Sequence, residues 1–214
     1  MKSGSPKIPD RPKKVRIWSR RFTPDLLKPM TLATELIEEM PDTKEIARFH
    51  LGNKRYVVVC LFKGDLKVHI RQYSIAGYPT TKGICLTSSR WATLMTRINA
   101  IEGVFKRWLL RKSNVLDTSE HLGGNVCVTA CDMRMTVNIH EYSTNNSTDV
   151  KARKMGINLR ICEWRNLTRL SRNITNSCVE LANAVPCRYQ ASHRDITVLN
   201  QCVECNPNGY IIVL

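Results

Sequence analysis

The sequence predicts an α+β protein made of two tandem units, each with four antiparallel strands followed by one long amphipathic helix. Three observations lead to this prediction: segments rich in β-branched residues, an apolar stripe of helical period after them, and the recurrence of both about 70 residues later along the chain. A unit of about 65 residues has a thin core. We therefore expect the two units to pair as an intramolecular pseudo-dimer.

The first unit, residues 49–112, shows these elements in order. Residues 56–62 (YVVVCLF) are dense in β-branched and aromatic residues, which predicts a strand. A Lys63-Gly64-Asp65 turn follows, residues 66–74 alternate as a strand does, and residues 82–86 form a further short strand. From Ser88 or Ser89 a helix is expected. Its apolar stripe is Trp91, Leu94, Met95, Ile98, Ile101, Phe105 and Trp108.

The second unit, residues 113–185, repeats this series. Residues 68–73 (VHIRQY) recur at 137–142 (VNIHEY), and Gly83-Ile84-Cys85-Leu86 recurs as Gly156-Ile157-Asn158-Leu159. An ordered series of matches is improbable by chance, so we interpret it as an internal duplication. Trp91 and Trp164 are expected in the core between helix and sheet. The second helix would carry Trp164, Leu167, Ile174, Cys178 and Leu181.

The flanking regions differ in character from the two units. Residues 1–48 predict a flexible basic arm with a short helix at 31–40, and residues 186–214 form a cysteine-containing tail. Residues 11–16 (RPKKVR) are typical of a nuclear-import signal or of a solvated tail, and we expect a nuclear protein. The chain start lacks an apolar signal segment and no apolar run is long enough to cross a bilayer, so neither secretion nor membrane attachment is expected.

Charge is concentrated in the first unit. The 214 residues carry a formal net charge of +15, which indicates an anionic partner. Residues 49–112 contain 12 basic and 2 acidic side chains, whereas residues 113–185 contain 8 and 7. Nucleic acid is the partner that this asymmetry favours.

The motifs of the first unit are similar to those of a known family. The run from Phe49 to Gly64, the segments 68–73 and 82–86, and Trp91 together resemble the conserved domain of the transcriptional coactivator family called positive cofactor four. The resemblance spans residues 49–110, and residues 120–183 are similar but weaker. It implies a curved four-stranded sheet backed by a C-terminal helix, dimerisation through the helices, and binding of single-stranded or unpaired DNA with little sequence preference.

The resemblance also implies site residues. Nucleic-acid contacts carried over onto this chain are Arg55, Phe62, Lys63, Arg71 and Lys82. Phe62 and Tyr73 could stack on bases, although Phe62 could equally belong to the core. In the second unit His140 stands where the first has Arg71, while a loop offers Lys151, Arg153 and Lys154. We therefore expect the first unit to bind nucleic acid and the second to bind weakly or to support it.

Two function classes remain open at this point. The leading prediction is a single-stranded-DNA-binding protein of transcription, replication or repair, with RNA as an alternative ligand and further oligomerisation not excluded. The alternative is an adaptor in a transcription or replication complex, for which the second unit and the 31–40 helix would form the partner surface. The sequence contains no motif for catalysis. Neither an enzymatic activity nor a cofactor is expected.

Nine cysteines are spread along the chain. Their odd number without a secretory signal predicts reduced thiols rather than a disulfide framework. Near the C-terminus, Cys187, His193, Cys202 and Cys205 could hold zinc tetrahedrally, or the thiols could be buried and free. Because only Cys202 and Cys205 form a close pair, buried free thiols are favoured and no metal is predicted.

Overall fold

A computed structural model describes residues 43–110, 118–131, 134–144 and 150–209; of these, the side chains of Trp108, Cys131, Ser143, Thr144 and residues 150–154 are not described. The predicted basic arm up to residue 42, its helix at 31–40 and the import-like motif lie outside these residues. The strands are β1 (Thr43–Gly52), β2 (Arg55–Phe62), β3 (Asp65–Tyr73), β4 (Pro79–Thr87), β5 (Thr118–Gly123), β6 (Val126–Cys131), β7 (Thr136–Thr144) and β8 (Val150–Arg160).

The protein is α+β, with an antiparallel sheet and helices, as predicted. The strands form one eight-stranded sheet in the order β1-β2-β3-β4-β8-β7-β6-β5, whereas the sequence analysis expected two four-stranded sheets. The two sets of strands join where β4 pairs with β8, at Gly83 opposite Gly156. A four-stranded meander leaves the backbone groups of its last strand unpaired, and here the two such edges meet at these glycines.

Both glycines at this junction are required by side chains that lie across them. A Cβ atom on Gly83 would stand 2.8 Å from Cγ of Arg71 on β3, and one on Gly156 would overlap the imidazole ring of His140 on β7. Arg71 and His140 are the strand partners of these glycines. This packing explains why glycine recurs at both positions.

We expect Gly83→Ala to destabilise the protein by about 1–3 kcal/mol, because the added methyl group also meets the carbonyl oxygen of Ile70 at 2.9 Å and the backbone would have to move. Chemical denaturation measures the change. Gly103→Ala on the first helix is the matched control, since its new Cβ would lie 3.4 Å from the flexible Arg107 side chain. The control should retain or gain stability. Equal stability of both variants would contradict the packing argument.

Two helices cover one face of the sheet, which we call the inner face. Helix α1 spans Ser88–Leu109 and α2 spans Ile161–Thr175. Trp91 and Trp164 are fully buried in the core, as predicted. The core also contains alternate side chains of the central strands, namely Val57, Val59, Val68, Ile70, Ile84, Leu86, Val126, Val128, Val137, Ile139, Ile157 and Leu159.

The second helix is shorter than the sequence analysis expected. It ends at Thr175, and a separate turn of helix, α3 (Val179–Ala182), carries Leu181. The backbone N–H of Asn176 donates to the carbonyl of Arg172, and that of Ser177 donates to Ile174. Asn and Ser favour such helix ends because their side chains compete with helical hydrogen bonding.

Strand β1 begins at Thr43, so it takes in the last residues of the segment that the sequence analysis assigned to the arm. The C-terminal segment contains two short 3-10 helices, Cys187–Tyr189 and Ala191–Arg194, and α4 (Ile196–Gln201). Within the residues that the structure describes, no helix is both long and apolar enough to span a membrane.

Candidate nucleic-acid interface

The face of the sheet opposite the helices, here called the outer face, carries the candidate interface. Strand alternation places one set of side chains from β1 to β4 on this face. The register aligns them across strands: Tyr56 pairs with Arg71, and His69 pairs with Val58 and Cys85. The outer face of the first four strands presents Arg48, His50, Tyr56, Val58, Cys60, Phe62, Lys67, His69, Arg71, Tyr73 and Cys85.

An arginine and three aromatic rings form a contiguous cluster on this face. The guanidinium of Arg48 lies 4.8 Å from the ring centroid of Tyr73 and 5.8 Å from that of Tyr56. The rings of Tyr56 and Tyr73 meet edge to face at 5.1 Å, and His50 lies 4.8 Å from Tyr56. Cation–π contact of this kind orients the arginine over the rings. We call these four residues the Arg48 cluster.

Glu45 holds Arg48 in this position. The Nη2 atom of Arg48 lies 2.6 Å from a carboxylate oxygen of Glu45, and Nε donates to the other oxygen at 3.0 Å. This hydrogen bonding raises the pKa of Arg48, against an opposing effect of burial, and lowers the pKa of Glu45. About two fifths of the Arg48 side chain remains exposed (40%), so its planar group still faces solvent.

Tyr73 lies on the predicted face, but its ring is covered. The residue is 7% exposed, because Arg48 and Tyr56 pack on it. Burial raises the pKa of Tyr73, although the nearby charge of Arg48 opposes the shift. The surface above Tyr73 is therefore the guanidinium of Arg48, which can itself stack on a base.

Phe62, Lys63, Arg71 and Lys82 occupy the first four strands or their turns. Phe62 is half-buried at the end of β2, with the Nζ of Lys63 5.6 Å from its ring centroid. Arg71 crosses Gly83 and donates from Nη1 to the carbonyl oxygen of Thr80 at 2.6 Å. Lys63 and Lys82 are exposed.

Buried titratable groups beside these residues are uncharged near neutral pH. Burial lowers the pKa of His69, and the neighbouring charges of Arg71 and Lys67 lower it further. Burial likewise raises the pKa values of the Cys60 and Cys85 thiols. The Sγ of Cys85 lies 3.7 Å from Nε2 of His69. These three groups therefore add no charge to the outer face.

Arg55 is not brought together with these residues. Its guanidinium forms an ion pair with Glu163, which is fully buried at the start of α2. Asn53 donates to the same carboxylate at 2.8 Å, as does the backbone N–H of Arg160. Asn53 and Lys54 both have positive φ, so the tight turn after β1 aims Asn53 at this carboxylate. Arg55 thus links the first sheet edge to the second helix.

The corresponding surface of the last four strands has a different composition. In the same strand register, Ser119 stands where β1 has Arg48, and Cys127 stands where β2 has Tyr56. Both line a pocket with Tyr142, and Pro207 and Asn208 of the C-terminal segment line the same pocket. Lys151, Arg153 and Lys154 belong to β8, but their side chains lie outside the described part of the chain.

Four residues of the candidate interface were not predicted from the sequence. Arg48, His50 and Tyr56 form part of the Arg48 cluster, and Tyr78 is 54% exposed in the loop between β3 and β4. The alternation of Arg48 with Phe49 and His50 with Leu51 is a strand signal that could have located β1. The contact between Arg48 and Tyr73 could not be predicted from a local sequence pattern, because the two residues are distant in sequence.

Comparison with known proteins bears on the same region. Residues 49–96 match the family model of Transcriptional Coactivator p15 (PC4). The predicted resemblance to this coactivator family is thereby confirmed. The PC4 match runs from the second half of β1 through β4 into α1 and contains every site residue predicted for the first unit.

Two curated relatives carry coactivator names. The "RNA polymerase II transcriptional coactivator KELP" of Arabidopsis thaliana is 36% identical over 73 residues, which cover 33% of this chain and 44% of that protein. A "Putative RNA polymerase II transcriptional coactivator" of Caenorhabditis elegans is 36% identical over 76 residues, covering 33% of this chain and 61% of that protein. The similarity thus spans about half the length of these relatives.

Proposed function

We propose that this chain binds single-stranded or unpaired nucleic acid through the outer face of its first four strands and acts as a transcriptional coactivator in the nucleus. The observation that supports this most is the Arg48 cluster, where a partly exposed guanidinium lies on a platform of aromatic rings. Stacking contributes about 1–3 kcal/mol per base whatever its identity, so such a surface binds with little sequence preference.

Charge around the cluster suits a phosphate backbone. Lys63 and Lys82 are exposed, and Arg71 adjoins Tyr56 across the strand pair. Tyr78 offers a further exposed ring in the neighbouring loop. Cationic groups interleaved with rings are the combination that single-stranded ligands need, since phosphates and unstacked bases are accessible together.

We also infer that the two halves are diverged copies that form a pseudo-dimer within one chain. The sheet order runs β1 to β4 and then β8 to β5, so the strand order of the second half is the reverse of that of the first. The helices make reciprocal contacts: Trp91 donates to Thr175 at 3.0 Å, and Trp164 donates to Glu102 at 2.6 Å. Each helix also contacts the edge strand of the other half. The second half would then support the first, since it lacks equivalents of Arg48 and Tyr56.

The coactivator role rests on the PC4 match and on the names of the two relatives. Both names refer to RNA polymerase II, which points to the transcription machinery as the setting in which this chain would meet unpaired DNA. Replication and repair offer the same ligand. No catalytic role is proposed.

Fluorescence anisotropy of the full chain with labelled oligonucleotides tests the binding proposal. We expect single-stranded DNA to bind more tightly than a duplex of equal length, with affinity that falls as salt rises, by about 0.7 in the log–log slope for each neutralised phosphate. A matched RNA strand decides between the two ligand types. Absence of binding at low salt, or a clear duplex preference, would overturn the proposal.

A further inference from the structure

Four potential metal ligands in the C-terminal segment come together although they are spread over 19 positions of sequence, from Cys187 to Cys205. The ligand atoms of Cys187, His193, Cys202 and Cys205 all lie within 4.8 Å of one another. The first 3-10 helix supplies Cys187, the second supplies His193, and the turn after α4 supplies the remaining two. The four residues are partly exposed, whereas the sequence analysis favoured buried thiols.

Three of the distances between these atoms match the edges of a tetrahedral metal shell. The Sγ atoms of Cys187 and Cys202 are 3.7 Å apart, and Nδ1 of His193 lies 3.7 Å from Sγ of Cys205 and 3.9 Å from Sγ of Cys187. With Zn–S near 2.3 Å and Zn–N near 2.0 Å, a tetrahedral site has S···S edges of about 3.8 Å and S···N edges of about 3.6 Å. A disulfide would instead bring two sulfurs to about 2.05 Å.

Backbone hydrogen bonds shape the turn around Cys202. The N–H groups of Glu204 and Cys205 point at its sulfur, and the N–H of Asn206 donates to the carbonyl oxygen of Cys202 at 2.7 Å. This compact turn presents both sulfurs of the C-x-x-C pair to one point. Nδ1 of His193 also contacts the carbonyl oxygen of Cys187, a hydrogen bond that would give way once this nitrogen binds a metal.

We propose that Cys187, His193, Cys202 and Cys205 form a structural zinc site with three thiolate ligands and one imidazole ligand. Four protein ligands leave no open position for water, which is typical of structural rather than catalytic zinc. Three soft sulfur ligands and one imidazole select zinc over magnesium or calcium, which prefer oxygen.

The C-terminal segment that carries the proposed site needs a bound metal to hold it together. Between residues 185 and 209 only Leu199 and Asn206 are buried, so an apolar core cannot hold this stretch together. Metal binding can replace a core in a small folded segment.

The site also fixes a contact with the rest of the protein. Glu204, inside the C-x-x-C turn, forms a two-bond ion pair with Arg90 of α1, at 2.6 and 2.9 Å. Its carbonyl oxygen accepts a hydrogen bond from Gly124 in the turn between β5 and β6. Zinc would therefore hold the C-terminal segment against both the first helix and the second half of the sheet.

Metal analysis of the full chain tests the proposal. We expect one equivalent of zinc to remain after purification and dialysis. Cobalt(II) added to the metal-free protein should give thiolate-to-metal charge-transfer bands and the intense visible bands of tetrahedral coordination. Removal of zinc by a chelator should lower the melting temperature of the protein.

Variants identify the ligands. Cys202→Ser and Cys205→Ser should lose stoichiometric zinc, while Cys162→Ser, at an exposed cysteine on α2, should retain it. His193→Cys should also retain zinc, through four thiolates, with a changed cobalt spectrum. This variant keeps the test valid if the serine variants fold poorly. Retention of zinc by a Cys202→Ser, Cys205→Ser double variant, absence of metal from the native chain, or a Cys187–Cys202 disulfide in the native protein would overturn the proposal.

Discussion

Neutralising Lys63, Arg71 and Lys82 together by substitution with Gln is expected to weaken binding of single-stranded DNA about 100-fold at 0.1 M salt. The physical reason is counterion release, because each lost phosphate contact removes about 0.7 from the log–log salt slope. The slope should therefore become shallower by about 2. Anisotropy titrations over a salt series measure both quantities. At Arg71, Gln keeps the Cβ and Cγ atoms that lie across Gly83 and retains a polar end group.

The matched control changes the same charge on the other side of the molecule. Arg165, Arg169 and Arg172 are exposed on α2, and their triple substitution by Gln also removes three positive charges. If the outer face of the first four strands is the interface, this control should weaken binding far less and leave the salt slope nearly unchanged. Equal losses in the two triple variants would mean that net charge alone drives binding and would contradict the proposed interface.

Replacing Arg55 with Met is expected to cost about 3–5 kcal/mol of stability, because it leaves the carboxylate of Glu163 buried without its cationic partner. Asn53 and the N–H of Arg160 would remain as hydrogen-bond donors, but neither neutralises the charge. Urea denaturation measures the loss. A second substitution, Glu163→Gln, removes the buried charge and should restore part of the stability in the double variant.

This experiment also separates two roles for Arg55. The family resemblance implies a nucleic-acid contact, whereas the structure places the side chain against α2. Under conditions where the folded state is fully populated, Arg55→Met should retain most of its affinity for single-stranded DNA. Arg165→Met, at an exposed position on α2, is the stability control and should change stability by less than about 0.5 kcal/mol. Normal stability with a large loss of affinity would restore the contact role.

Local patterns in the sequence predicted most of the secondary structure. The density of β-branched and aromatic residues located β2. Alternation located β3 and the stripe that begins at Trp91 located α1, because a strand or helix that buries one face repeats its apolar residues with a fixed period. The same reasoning placed no strand at β1, where charged residues on an edge strand mask the alternation. It also extended the second helix through Asn176, where a polar cap ends it.

The candidate interface also has features that the sequence predicted and features that it did not. Phe62, Lys63, Arg71 and Lys82 could be named from short motifs because they belong to the segment that matches the PC4 family. The covering of Tyr73 could not be predicted, since the burial of a ring depends on which side chain the neighbouring strand places over it.

By itself, the sequence determined most strands of the first half, the start of both long helices, the core tryptophans and the concentration of charge in the first half. Only the tertiary structure decided that the two halves share one sheet, that Arg55 pairs with Glu163 and that Cys187, His193, Cys202 and Cys205 meet at one point. The physical reason is the separation along the sequence over which each kind of signal acts. Periodicity reports how a residue relates to its neighbours within a few positions, whereas an ion pair across 108 positions forms only when packing brings its two ends together.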